Sequence, residues 1–77
     1  MKPALESVLQ YVSVHQGCSS IEVGIDLGIG RDRAHYQLQI LYAKGYLGRQ
    51  VGLTHVVPTR YWIEDRGLAI LQAGVSA

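Results

Sequence analysis

The chain holds one cysteine, one tryptophan, two prolines and no phenylalanine. A lone Cys18 closes no internal disulfide, which excludes the stapled frameworks of small secreted domains. Charge is scarce too. Asp, Glu, Lys and Arg make up 17% of the 77 residues and leave a net charge of +1. With 48% hydrophobic residues, that composition excludes a disordered tail and predicts one globular domain over 1–77. No uninterrupted apolar run approaches the roughly 20 residues that span a bilayer, so no membrane partner is expected. The N-terminal MKPALESVLQYV carries Glu6 inside its apolar pattern and offers no signal-peptide cleavage site. The cytoplasm is the expected compartment.

Constellations that perform chemistry are missing as well. No glycine-rich loop leads into Lys and Ser/Thr, no nucleophile elbow occurs, and no carboxylates pair in a cleft-forming pattern. His15 and Cys18 could supply two metal ligands, but no second pair has zinc-site spacing. Cys18 reads as a buried inert thiol, with a redox sensor as the alternative. Glu22 and Asp26 lie on one helix and read as solvated carboxylates. The sequence thus predicts no enzyme, no catalytic residue, no metal and no cofactor.

What charge there is, is unevenly placed. Residues 31–60 hold Arg31, Arg33, Lys44, Arg49 and Arg60 against Asp32 alone, a net of +4. Residues 1–30 are net −2 and residues 61–77 net −1. A positive field confined to one region is what phosphate binding requires, because that field acts locally.

The apolar periodicity predicts the elements in turn. Pro3 suits a first helical turn, and Leu5, Val8, Leu9 and Val12 follow i, i+3, i+4, i+7, giving a helix over about 3–16. Ser19 and Glu22 are spaced as a capping box opening a second helix over about 20–27, with Ile21, Val23 and Leu27 as apolar candidates. Gly24 inside it costs about 1 kcal/mol relative to alanine, which a close crossing would explain. Gly28-Ile29-Gly30 reads as a turn, with Ile29 plugging the core and Gly30 capping a third helix over about 31–44. Ala34, Leu38, Leu41 and Gly45 share one face of it; at about 100° per residue Asp32, Tyr36, Gln39 and Ala43 lie opposite. Two β-prone segments fill 46–63 around a tip at Gly52–Pro58, with Tyr46, Tyr61 and Trp62 as packing residues. Asp65 caps a short helix over about 66–73, with Leu68 and Leu71 inward, Ile70 sharing that burial, and Gly74 ending it.

The predicted class is α+β, mainly α: three helices, a β-hairpin wing and a short C-terminal helix, which is a winged helix-turn-helix. Such a fold lays its third helix in the major groove of double-stranded DNA. The outward side of that helix offers Arg31, Asp32, Arg33, His35, Tyr36 and Gln37. Arginine pairs bidentately with guanine, glutamine with adenine, and aspartate accepts from cytosine. Gln39, further along, suits a phosphate contact or solvent. The wing offers Arg49, Gln50, Thr54, His55, Thr59 and Arg60 for phosphate or minor-groove contacts. Each has a plainer alternative: surface pairs of Arg31 or Arg33 with Asp32 or Glu22, packing for Tyr36, solvent exposure for His35 and His55.

Glu22-Val23-Gly24, Leu27-Gly28-Ile29 and Lys44-Gly45-Tyr46-Leu47 together resemble the winged helix-turn-helix signature of bacterial regulators. The third helix and Thr59-Arg60-Tyr61-Trp62 look most like the PapI/FaeA-like regulators of fimbrial operons, over about residues 5–63. The C-terminal helix is similar instead to the MarR-type pattern after the wing. The resemblance implies a sequence-specific regulator of transcription, and a fimbrial one implies cooperation with a larger DNA-binding regulator. One winged helix covers one half-site, so a homodimer or such a cooperative assembly is expected. The low net charge, Ile25 and Ile40 on possible outer faces, and the tyrosines keep a second reading open: a protein-interaction winged helix without direct DNA binding.

Overall fold

The computed structural model describes residues 1–54 and 56–76, with the backbone alone for 74–76. Its elements run α1 (Pro3–Val14), α2 (Ser20–Asp26), α3 (Arg31–Ala43), β1 (Leu47–Gln50), β2 (Arg60–Ile63) and α4 (Asp65–Ser76). The predicted winged arrangement is present, mainly helical with one two-stranded antiparallel hairpin. Among the described residues no helix is long and apolar enough to cross a membrane.

The core follows the helical stripes. Val8, Leu9 and Val12 of α1 and Ala34, Leu38 and Leu41 of α3 are fully buried, joined by Val23 of α2 and by Leu47, Tyr61 and Ile63 of the hairpin. Leu5, Leu27 and Ile29 pack on its margin, so Ile29 does plug the turn. Ile21 departs from expectation: it is 47% exposed. On a helix of seven residues one stripe suffices, and Val23 with the C-cap Leu27 supplies it.

Two helices end in the same way. The Tyr46 N–H donates to Leu41 O at 3.0 Å and the Gly45 N–H to Tyr42 O at 3.0 Å. The Ile29 N–H donates to Gly24 O at 3.0 Å and the Gly28 N–H to Ile25 O at 3.2 Å. Both are Schellman closures, and Gly28 (φ 68°) and Gly45 (φ 80°) take the left-handed position that each needs. Gly45 is therefore the stop of α3 rather than part of its core face, and it is exposed. At the start of α2 the Ser19 hydroxyl accepts the Glu22 N–H at 3.5 Å, one half of the expected capping box. The Ser19 hydroxyl in turn donates a hydrogen bond to Glu22 Oε1 at 3.4 Å.

Gly24 sits where α2 meets the turn into α3. A Cβ there would lie 2.6 Å from Gly30 C, 2.7 Å from Gly30 O and 2.9 Å from Arg31 N. The contact partner is the backbone that starts α3, so the missing side chain fixes how closely α3 docks on α2.

The hairpin pairs Leu47 with Ile63, Gly48 with Trp62, Arg49 with Tyr61 and Gln50 with Arg60. A bridge between Cys18 and Tyr61 extends it: the Tyr61 N–H donates to Cys18 O at 2.9 Å, and the Gly17 N–H to Tyr61 O at 2.7 Å. The α1–α2 connection thus holds the wing's second strand. Tyr11 and Asp26 tie α1 to α2 through a 2.5 Å hydrogen bond, so Asp26 is engaged rather than simply solvated. Accepting that bond, the carboxylate disfavours phenolate and raises the Tyr11 pKa to about 12.

The last helix differs most from the sequence reading. It begins one residue earlier than predicted, with Glu64 O accepting the Leu68 N–H at 3.0 Å, and it runs through Gly74 to Ser76. An interior glycine costs about 1 kcal/mol and does not by itself stop a helix. Its inward face is Gly67, Ile70 and Leu71, spaced i, i+3, i+4, while Leu68 is 39% exposed.

Candidate nucleic-acid interface

Burial of Ala34, Leu38 and Leu41 turns the opposite side of α3 to solvent. Arg31, Asp32, Arg33, His35, Tyr36 and Gln39 are all exposed, Tyr36 by 59%. Residues 31–36 begin the helix, so their side chains flank its N-terminal end, where partial positive charge collects. Arg31 Nε lies 3.7 Å from Asp32 Oδ1, with both side chains largely in water. An ion pair so exposed contributes little and leaves the guanidinium available. One turn apart, His35 Nε2 and Gln39 Nε2 lie 2.9 Å from each other.

Gln37 is placed differently from the strip predicted for it. It is half-buried, and its Oε1 is buried without a hydrogen-bond partner among the described residues. Together with Arg33 and Tyr36 it lines a groove of about 920 Å³ between α1, α3 and α4, whose other walls include Leu5, Ile40, Ile70 and Leu71. The exposed strip therefore runs Arg31, Asp32, Arg33, His35, Tyr36, with Gln37 half-buried beside it.

The wing cations are pre-positioned. The Arg49 guanidinium sits 4.0 Å above the Tyr42 ring, a cation–π contact from wing to α3. Arg60 donates from Nη1 to Gly17 O at 2.9 Å. These contacts hold the two guanidinium groups against α3 and the α1–α2 connection. Gln50 and Thr54 are exposed and Thr59 is half-buried; His55 lies outside the described residues. Arg66 donates from Nη1 to Lys44 O at 3.3 Å, satisfying a carbonyl at the end of α3. Tyr61 is buried and Trp62 and Tyr46 are half-buried, so the aromatic residues of the wing pack rather than present faces for base stacking.

Sequence reasoning missed Tyr42 as the seat for Arg49. The signal was weak: Tyr42 is 40% exposed, and only the hairpin's twist brings strand β1 over α3. Cys18 is buried as expected, and burial pushes its thiol pKa up to about 11, holding it protonated at neutral pH.

No protein-family model and no curated protein matches the sequence. Solved structures do. A MarR family transcription regulator matches at 26% identity and a TM-score of 0.83, over 95% of this chain and 48% of that one. The transcriptional repressor CouR, bound to a DNA duplex, matches at 25% identity and a TM-score of 0.86, over 99% and 54%. A variant of S. aureus MepR bound to an oligodeoxyribonucleotide matches at 18% identity and a TM-score of 0.87, over 99% and 56%. The chain spans about half the length of these structures, and over that half it has the winged-helix fold of MarR-type transcription regulators.

Proposed function

We propose that the chain is a sequence-specific double-stranded DNA-binding protein that regulates transcription, with α3 in the major groove and the β1–β2 hairpin as the wing. The observation that carries this is the strip Arg31, Asp32, Arg33, His35, Tyr36, exposed at the start of a helix whose other side is core. The DNA-bound CouR and MepR structures support it, since nearly all of this chain superposes on them. Arg31 and Arg33 read guanine, Asp32 accepts from cytosine or favours the helix N-terminus, and Tyr36 meets a thymine methyl or a phosphate. His35 borders the strip. Gln37 reads adenine only by swinging out of its groove. Arg49, Gln50, Thr54, His55, Thr59 and Arg60 meet phosphates or the minor groove. The cytoplasm is the compartment that fits this role.

The finer reading, a PapI/FaeA-like fimbrial regulator, rests on the third helix and the second wing strand. The MarR-type character of the solved structures supports the broader class alone. Either group calls for a second DNA-contacting unit, a homodimer partner or a larger regulator, because one α3 covers one half-site.

Selection of bound sequences from a random duplex pool tests the proposal. Arg33→Ala weakens the selected site and relaxes preference at one base pair, costing about 1–3 kcal/mol. Arg49→Ala weakens all sequences alike and flattens the dependence of log K on log salt by about one unit. Unchanged affinity in both variants, measured at several salt concentrations, refutes it. One observation favours a protein-interaction module instead: Ile25 is 73% exposed and Ile21 47% exposed on α2. An unenriched pool together with a stable complex formed through α2 selects that reading.

A further inference from the structure

The tip of the wing exposes a group of apolar side chains. From Val51 to Pro58 there is no Lys, Arg, Asp or Glu. Leu53 is 100% exposed, Val56 77% and Val51 61%. The loop is nonetheless closed at its neck. The Val57 N–H donates to Thr54 O at 3.1 Å, and a Cβ on Gly52 would collide with Val57 O. Leu53, Val56 and Val57 are exposed beside this neck. A groove of about 530 Å³ separates them from the helices, with Ile21, Arg31 and His35 on one wall and Leu53, Val56 and Val57 on the other.

That groove links the tip to the strip assigned to the major groove. A strand of DNA backbone lying in it beside Arg31 sets the adjacent minor groove under the tip. Arg and Lys read a minor groove by charge, and between Arg49 and Arg60 this wing has neither, His55 being its one ionisable side chain. The two flanking arginines are held back at Tyr42 and Gly17. What the tip presents is a branched apolar side chain at full exposure. Leucine in that position can enter between base steps from the minor groove, unstack them and bend the duplex.

We infer that Leu53 is such a wedge and that the protein selects its site partly by how readily one base step unstacks. This rests on the DNA-binding reading above. Pyrimidine–purine steps unstack most easily, so one is expected under the tip.

The test uses the full chain and a duplex recovered from the random pool, end-labelled for energy transfer and scanned with 2-aminopurine. The wild-type protein shortens the end-to-end distance and brightens 2-aminopurine at one step outside the α3 contact. Leu53→Ala abolishes both effects and lowers affinity about tenfold, the value of burying one leucine side chain. It leaves the salt dependence unchanged. Leu53→Arg also loses the bend, and steepens the salt dependence by about one unit because a phosphate comes within reach. Leu53 touches no core, so both variants melt with the wild type. Wild-type bending and affinity in Leu53→Ala overturn the wedge and leave DNA binding standing. A tip that proves to hold a protein partner or a second copy, with the bound duplex unaffected by Leu53→Ala, overturns it as well. A chain that retains no duplex overturns both readings.

Discussion

Gly24→Ala tests the joint on which the α3 orientation depends. Two effects oppose each other. In a helix interior, alanine is favoured over glycine by about 1 kcal/mol. Against this, the new Cβ lies 2.6–2.9 Å from Gly30 C, Gly30 O and Arg31 N, all of them backbone. No side chain can rotate aside. The turn is also pinned, because Gly24 O accepts both the Ile29 N–H at 3.0 Å and the Gly30 N–H at 3.2 Å. Relief requires α3 to move away from α2 and loosens those bonds. Overpacking of this kind costs about 1–3 kcal/mol even where side chains share the strain. The upper part of that range applies against backbone, which leaves a net loss of about 1–2 kcal/mol. For a domain of this size that lowers Tm by roughly 5–10 °C.

Thermal and urea denaturation followed by circular dichroism measure it, with Ala69→Gly on the exposed face of α4 as the reference for helix propensity in this chain. Ala69→Gly is expected to cost about 1 kcal/mol. If Gly24→Ala raises stability by a similar amount, propensity alone governs the site and the close approach of α2 to the α3 start is refuted. DNA binding adds a second readout. A tilted α3 loses specific affinity more than nonspecific affinity, since base contacts tolerate less displacement than phosphate contacts.

Other outcomes follow from the same contacts. Leu38→Ala, at a fully buried position of α3, costs about 2–5 kcal/mol by chemical denaturation. Ser19→Ala removes the acceptor for the Glu22 N–H and costs about 1 kcal/mol, with Ser19→Thr, which keeps the hydroxyl that also donates to Glu22, recovering most of it. Cys18 gives a pH signature. Its thiol ionises near 9 unfolded and near 11 folded, so only the unfolded chain gives up the proton between those values. Stability is therefore untouched below pH 9 and falls as pH rises toward 11, by up to about 2–3 kcal/mol. Cys18→Ala flattens the stability–pH curve between pH 9 and 10, above which Tyr11, raised from 10 to about 12, adds a fall of its own; an unchanged slope from pH 9 to 10 refutes the assignment.

The parts that were legible in the sequence are those governed by a single local rule. Val8, Leu9 and Val12, and Ala34, Leu38 and Leu41, announce their burial through helical spacing alone. Gly28 and Gly45 announce two helix ends, because few residues tolerate the left-handed position. The exposed strip at the start of α3 follows from the same spacing. Illegible features depend on a partner far along the chain. Gly67 faces inward because Tyr46 O and Ile63 occupy the space a side chain would need, and that rotates Leu68 outward. Arg49 finds Tyr42 and Arg60 finds Gly17 only once the hairpin is twisted over the helices. Gln37 lies at the boundary between strip and groove, and the position of α4 decides its side.

The near-zero net charge looks like an obstacle to holding a polyanion, yet the charges are distributed so as to limit it. The acidic residues Glu6, Glu22 and Asp26 lie on α1 and α2, and Asp26 is bonded to Tyr11. Glu64 is bonded to Trp62, on the β2–α4 connection. The cations Arg31, Arg33, Lys44, Arg49 and Arg60 belong to α3, its cap and the wing. If each met one phosphate, log K would fall with log salt by at most about 4–5 units per protomer. That bound decides the division of labour. Electrostatics from one chain would yield only weak, easily screened binding, so the proposed function requires affinity from base contacts along Arg31–Tyr36, from the apolar wing tip, and from a second DNA-contacting unit.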